Sequence, residues 1–215
     1  MPKTKYNSIS QTMMSAQIIL DATLSEPEIM NRLAAFGYDQ ARIQAGKALY
    51  DETLALVHQQ KAGYGEQHEA SARAQASYQE ADEVYMRTLK VARIAFKDNT
   101  KAQTALMLRG KRKKNLAGWV AQAGTFYANL LAAPDLTARM AEFGYDYGKL
   151  EAEMGLIQNV RNATVNQEHE KGSAREMTQL RNTKLDELED WLSEFRAIAR
   201  IALQDQPYLL SKLRL

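Results

Sequence analysis

Cysteine is absent from the 215-residue chain, so disulfides, thiolate metal sites and a cysteine nucleophile are excluded. Proline occurs four times and glycine eleven times, too rarely for the many turns of a sheet protein. Histidine occurs only as His58, His68 and His169. A di-iron helical bundle requires Glu-x-x-His, but the residues three before these histidines are Ala55, Gly65 and Asn166, and no His-Glu-x-x-His is present. All three read as solvated surface histidines. No window approaches the roughly 20 consecutive apolar residues of a membrane span. The stretch Ile9 to Leu20 follows Lys3 and Lys5 but is interrupted by Ser10, Gln11, Thr12, Ser15 and Gln17, so it does not read as a secretory signal. The expectation is a cytoplasmic protein with no membrane insertion, no metal and no cofactor. Net charge is +2, so bulk charge makes no case for nucleic acid.

Apolar residues make up 45% and charged residues 25%, enough to build a core and keep a solvated surface. With few turn residues, this composition points to an all-α fold. The organising feature is a repeat. Phe36-Gly37-Tyr38-Asp39 recurs as Phe143-Gly144-Tyr145-Asp146, an offset of 107 residues. The same offset carries Pro27 to Pro134, Arg32 to Arg139, Ala92-Arg93-Ile94-Ala95 to Ala199-Arg200-Ile201-Ala202, and Asp98 to Asp205, with no gap. The sequence therefore predicts a tandem duplication of an up-and-down antiparallel helical bundle. Residues 1–107 form the first repeat, 108–215 the second, and an approximate two-fold axis relates them.

Phe-Gly-Tyr-Asp reads as a helix–helix corner. Gly37 and Gly144 suit the left-handed residue past a helix end, Asp39 and Asp146 suit the next N-cap, and the flanking Phe and Tyr should anchor the corner in the core. Pro27 and Pro134 mark first turns of a short helix. A longer helix follows over about Gln40 to Lys61, with an apolar face of Ile43, Gly46, Leu49, Tyr50, Thr53, Leu56 and Val57. Ala62-Gly63-Tyr64-Gly65 and Glu170-Lys171-Gly172-Ser173 read as loops. Beyond them, about Glu66 to Lys97 and Ser173 to Leu203 read as the longest helices. Their faces are Tyr78, Ala81, Val84, Thr88, Val91 and Ala95, and Leu185, Leu188, Trp191, Phe195, Ile198 and Ala202. A bridging helix is expected over about 101–131, kinked or broken at Gly110. Its stripe of Ala117, Ala121, Gly124 and Ala128 should admit a close neighbour.

No motif assigns an activity. Gly-x-x-x-x-Gly-Lys-Ser/Thr, Gly-x-Gly-x-x-Gly and Gly-x-Ser-x-Gly are all missing. His58 follows the apolar Leu56 and Val57, yet nothing beside it builds a haem site. Asp82-Glu83, Asp186-Glu187 and Glu189-Asp190 read as solvated helix faces. The densest chemical signal is basic. From Arg87 to Lys114 there are ten Lys or Arg against one acid, Asp98: Arg87, Lys90, Arg93, Lys97, Lys101, Arg109, Lys111, Arg112, Lys113 and Lys114. Such a run can neutralise phosphates of nucleic acid or anionic lipid; it can equally be a solvated face, or pair with the acidic 186–194 segment. The leading expectation is a non-enzymatic protein-interaction or scaffold module, with a protein partner or self-association. The alternative is polyanion binding through residues 87–114. A small-molecule site between helices is a weaker third reading, since no polar groups can be named for it.

Overall fold

A computed structural model describes residues 8–215 as helices alone, with no strand among those residues. The helices are α1 (Ile9–Ser25), α2 (Pro27–Ala34), α3 (Gln40–Ala95), α4 (Thr100–Ala105), α5 (Leu116–Leu131), α6 (Pro134–Ala141), α7 (Tyr147–Ala202) and α8 (Pro207–Lys212). Each of the first four begins 107 residues before its counterpart among the second four. Lys3 and Lys5 lie outside the described residues.

Local chemistry accounts for the boundaries. Ser8 opens α1 with a reciprocal capping box to Gln11. The side chains of Asn99 and Asn115 cap α4 and α5 by accepting the amides of Ala102 and Gly118. Asp39 and Asp146 do the same for α3 and α7, accepting from Arg42 N–H at 2.9 Å and Lys149 N–H at 2.8 Å. Before each of these, Gly37 and Gly144 sit at φ +80° and +79°. Tyr38 N–H returns to Leu33 O and Tyr145 N–H to Met140 O, closing the preceding helix with a six-residue loop. A side chain in that left-handed region costs about 1–2 kcal/mol. Tyr38 and Tyr145 are buried, whereas Phe36 and Phe143 are exposed. The expected anchoring by both aromatics therefore holds for the tyrosines only. A helix end turned outward by a left-handed residue leaves the side chain before the glycine in solvent.

The chain divides into two compact units that cut across the sequence repeats. One contains the residues up to Tyr64 together with Ser173–Leu215; the other is Gly65–Gly172. The division at 1–107 and 108–215 is thus not the division of the packing. The reason is helix continuity. The segments 62–65 and 170–173, expected as loops, are helical throughout, and α3 and α7 each run 56 residues. Glycine inside a helix costs roughly 1 kcal/mol against alanine, which a long cooperative helix between two packed cores withstands. Gly63, Gly65 and Gly172 have nothing within 4 Å of an added Cβ and need no left-handed φ.

In the first unit the early half of α3 runs antiparallel to the late half of α7. Arg42 meets Glu194, Thr53 meets Lys184, and Gln60 meets Thr178. Its core joins Ile19 and Leu20 of α1, Leu33 of α2, Ile43 and Tyr50 of α3, Leu188, Leu192 and Phe195 of α7, and Leu209 of α8. In the second unit Ser71 meets Gln167 and Thr88 meets Glu153. Its core joins Tyr85 and Leu89 of α3, Leu106 just past α4, Trp119, Phe126 and Tyr127 of α5, Met140 of α6, and Leu150, Ile157 and Val160 of α7. Each fully buried side chain of this size contributes about 1.5–3 kcal/mol.

Three further expectations hold only in part. The segment over 101–131 is broken, as expected at Gly110: Met107 (φ +49°) and Gly110 (φ +88°) take the chain out of helix and leave α4 and α5 as separate elements. Ala117, Ala121 and Ala128 are exposed, and an added Cβ on Gly124 meets nothing within 4 Å, so the small-residue stripe admits no close neighbour; it faces Met154, Ile157 and Arg161 of α7 across an open groove. Of the expected face of late α3, Ala81, Thr88 and Ala95 are buried and Tyr78, Val84 and Val91 half-buried, while Tyr85, Leu89 and Ala92 are buried beside them, so the face is wider than the heptad stripe.

Candidate interaction surfaces

The basic segment belongs to the second unit and falls into two parts. Arg87, Lys90 and Arg93 stand on the outer side of α3, with Lys97 and Lys101 just beyond its end. The remaining five cations lie in the connection between α4 and α5. That connection is pinned rather than loose. Leu106 and Leu108 are buried at its start. Arg93 Nε donates to Leu108 O at 3.0 Å. Arg112 donates to Tyr85 Oη at 3.0 Å and to the carbonyl oxygens of Met107 and Arg109 at 2.5 and 3.3 Å. Lys113 N–H donates to Gln122 Oε1 at 3.1 Å. Buried Gln103 donates to the carbonyls of Phe96 and Lys97, satisfying the frayed end of α3.

The ten predicted cations therefore serve two purposes. Arg93 and Arg112 hold the connection against α3. Arg87, Lys90, Lys97, Lys101, Arg109, Lys111, Lys113 and Lys114 are exposed. Among the described residues, the one ion pair formed by any of these eight is Lys97 with Asp98 at 3.8 Å. An open groove separates Lys111, Lys113 and Lys114 from Tyr78, Asp82 and Met86 of α3. Arg112 makes the Tyr85 phenol easier to ionise, but burial outweighs it and holds the Tyr85 pKa above the usual value. The acidic 186–194 segment lies in the first unit, where Arg42 pairs with Glu194 and Lys184 with Glu187.

A second surface recurs in both units. In the first, Arg32 Nη1 donates to Asp205 Oδ1 at 2.8 Å, tying the end of α2 to the α7–α8 junction. That pairing draws the Asp205 carboxyl below the usual carboxylate range. Phe36, four residues after Arg32, and Ile201, four before Asp205, are 47% and 51% exposed. In the second unit, Arg139 Nε donates to Ala95 O at 3.4 Å, and its guanidinium lies 5.1 Å from the Phe143 ring centroid. Phe143 and Ile94 are 40% and 62% exposed there.

The carboxylates depart from the solvated reading in two places. Asp82 and Glu189, 107 residues apart, are half-buried. Asp82 accepts Trp119 Nε1–H at 2.7 Å, and Glu189 accepts Thr12 Oγ1–H at 2.9 Å. Sequence reasoning missed the one buried carboxylate, Glu153, which accepts from Thr88 Oγ1 at 2.7 Å and Tyr127 Oη at 3.0 Å. Burial, reinforced by the Glu153 charge, raises the Tyr127 pKa far above its ordinary value. The available signal was its register: Glu153 falls on the apolar face with Leu150, Ile157 and Val160. Its two hydroxyl partners come from the core, so it reads as a packed polar network. His58, His68 and His169 are exposed. Among the described residues no three His, Asp or Glu side chains are grouped to hold a metal ion, and no helix is long and apolar enough to cross a membrane.

No protein-family model matches the chain, and neither a curated protein nor a solved structure shows significant similarity to it.

Proposed function

We propose that this all-α chain is a cytoplasmic, non-enzymatic interaction module, a tandem duplication that associates with protein chains, its own included, through the corner formed by Phe36 with Ile201 and by Phe143 with Ile94. The carrying observation is that these apolar side chains are exposed yet identical in both copies. Single exposed apolar residues are ordinary. The same two, kept at the same place while about four positions in five have diverged, call for a reason beyond folding. Three features support the duplication: the common 107-residue offset of all helix starts, the two left-handed turns, and a repeated side-chain link. Gln60 donates to Thr178 in one unit and Gln167 to Ser71, the same pair of positions, in the other.

The test is light scattering across a wide range of protein concentration. The expected result is a mass that rises with concentration and returns to that of one chain when Phe36, Phe143, Ile94 and Ile201 are all replaced by serine. Because these side chains are exposed, the variant should keep its helical circular dichroism. A mass of one chain at every concentration, or self-association untouched by the four substitutions, would overturn the reading.

A further inference from the structure

We infer that the connection between α4 and α5, with the adjoining face of α3, is a docking surface for the phosphate backbone of a nucleic-acid duplex. It stands apart from the apolar corner, because the first unit has that corner without these cations. The counterparts of Arg87, Lys90, Lys97 and Lys101 are Glu194, Ala197, Gln204 and Tyr208. A charge pattern kept by the fold alone would be expected in both units, and this one is confined to the second.

Three observations carry the assignment. First, the cations are presented rather than consumed. Arg109, Lys111, Lys113 and Lys114 are exposed, and none of them forms an ion pair with an acid. Second, their platform is built in advance. Arg93 and Arg112 spend their donors on the backbone of the connection and on Tyr85, so four charges stand on a fixed support and less ordering entropy is lost on binding. Third, the surface is extended. Residues 82–97 of α3 and its end cover about 22 Å at 1.5 Å per residue; the connection is bonded to that stretch at Tyr85 and Arg93 and faces Asp82 and Met86 across the open groove. A duplex carries one phosphate per roughly 1.7 Å of axis, so a backbone laid along this face meets several cations at once.

The chemistry narrows the polyanion. Single-stranded nucleic acid is bound by exposed aromatics that stack on bases, but Trp119 and Tyr85 are buried here, and half-buried Tyr78 is packed edge-on against the Trp119 ring. A lipid surface requires an apolar face that enters the headgroup layer. Of the large apolar side chains on this part of α3, Ile94 is exposed, and it recurs as Ile201 where the cations do not. Three acids belong to the surface: exposed Glu83 one turn before Arg87, Asp98 beside Lys97, and Asp82, which is occupied by the Trp119 indole. The contacts offered are to phosphate, so binding should be indifferent to base sequence.

The experiment is fluorescence anisotropy of the full chain with a labelled DNA duplex of about 20 base pairs. If about five phosphates are neutralised, the logarithm of affinity falls against the logarithm of salt with a slope of about −4.5, a loss of about 500-fold between 50 and 200 mM. Lys111→Glu, Lys113→Glu and Lys114→Glu together should weaken binding at low salt by about 100-fold or more. The matching glutamines should weaken it less. Reversal of Lys61 and Arg200, exposed cations of the first unit, should change it by no more than about 3-fold. Absence of binding by the wild-type chain at low salt would overturn the proposal. So would equal losses in the two reversal variants, which would make the attraction one of overall charge. Binding to vesicles rich in anionic lipid that duplex does not displace would assign the surface to a membrane instead.

Discussion

The two units fill one structural position in opposite ways. In the first, Gly46 of α3 leaves a gap that the Trp191 indole occupies; an added Cβ would overlap ring atoms Cζ2, Cε2 and Cη2. Trp191 stacks on Phe195 at 5.3 Å, and Leu20 completes the layer. In the second, the counterparts of Gly46, Trp191, Phe195 and Leu20 are Glu153, Val84, Thr88 and Tyr127. There the carboxylate grows out of α7 into the space that the indole claims in the first unit, and the hydroxyls of Thr88 and Tyr127 satisfy it. The comparison teaches that the shared backbone demands a volume, not a chemistry. A large ring over glycine, its indole N–H left without a partner, and a small satisfied polar network are both solutions.

The sharpest way to break this equivalence is Gly46→Ala. Its Cβ must displace an indole held on Phe195, so we expect a loss of about 3 kcal/mol in urea unfolding. In a Trp191→Val background, which copies the second unit, the same change should cost well under half as much. Equal costs in both backgrounds would show that Gly46 is needed for something other than the ring. Next in size is Glu153→Ala, which strands the Thr88 and Tyr127 hydroxyls in the core and should cost about 2–3 kcal/mol. Glu153→Gln keeps an acceptor and should cost about 1 kcal/mol. Gly37→Ala and Gly144→Ala should each cost about 1 kcal/mol, alike in the two units, because the left-handed strain is local. A marked difference between them would mean that tertiary packing shares in the turn.

The smallest effect is on pH dependence. The folded-state pKa of Tyr127 is raised, so the folded chain holds that proton more tightly than the unfolded one. Its contribution to stability is whole below the unfolded tyrosine value near about 10 and is lost as pH rises beyond it. Tyr127→Phe should flatten part of the alkaline decline in thermal stability. Tyr85, raised in the same direction, should keep the remainder. An unchanged alkaline slope would mean that Tyr127 ionises as readily folded as unfolded.

What was legible in the sequence, and what was not, divides by range. The all-helical class could be read because scarce glycine and proline and a helical apolar period act residue by residue. The corners could be read because φ, capping and the first-turn proline are decided within six residues. The exposed cations could be read as a run, but not which of them are structural. Arg112 reaches Tyr85 from 27 positions away and Arg93 reaches Leu108 from 15, and nothing in the spacing separates them from Arg109 or Lys113. Glu153 was passed over because its partners Thr88 and Tyr127 stand 65 and 26 positions off. Ala62-Gly63-Tyr64-Gly65 reads as a loop because glycine weighs against helix when its neighbours are counted alone.

By itself the sequence determined the helices, their caps and left-handed turns, the 107-residue recurrence and the concentration of positive charge between Arg87 and Lys114. Only the tertiary structure decided that α3 and α7 continue through their glycines and each serve two cores, that one buried layer is apolar and the other polar, and that two arginines hold the platform on which the other cations stand. The physical reason is the same in each case. Propensity and capping are energies of neighbouring residues, whereas helix continuity, core filling and the sorting of charges depend on partners brought together only when the chain has packed.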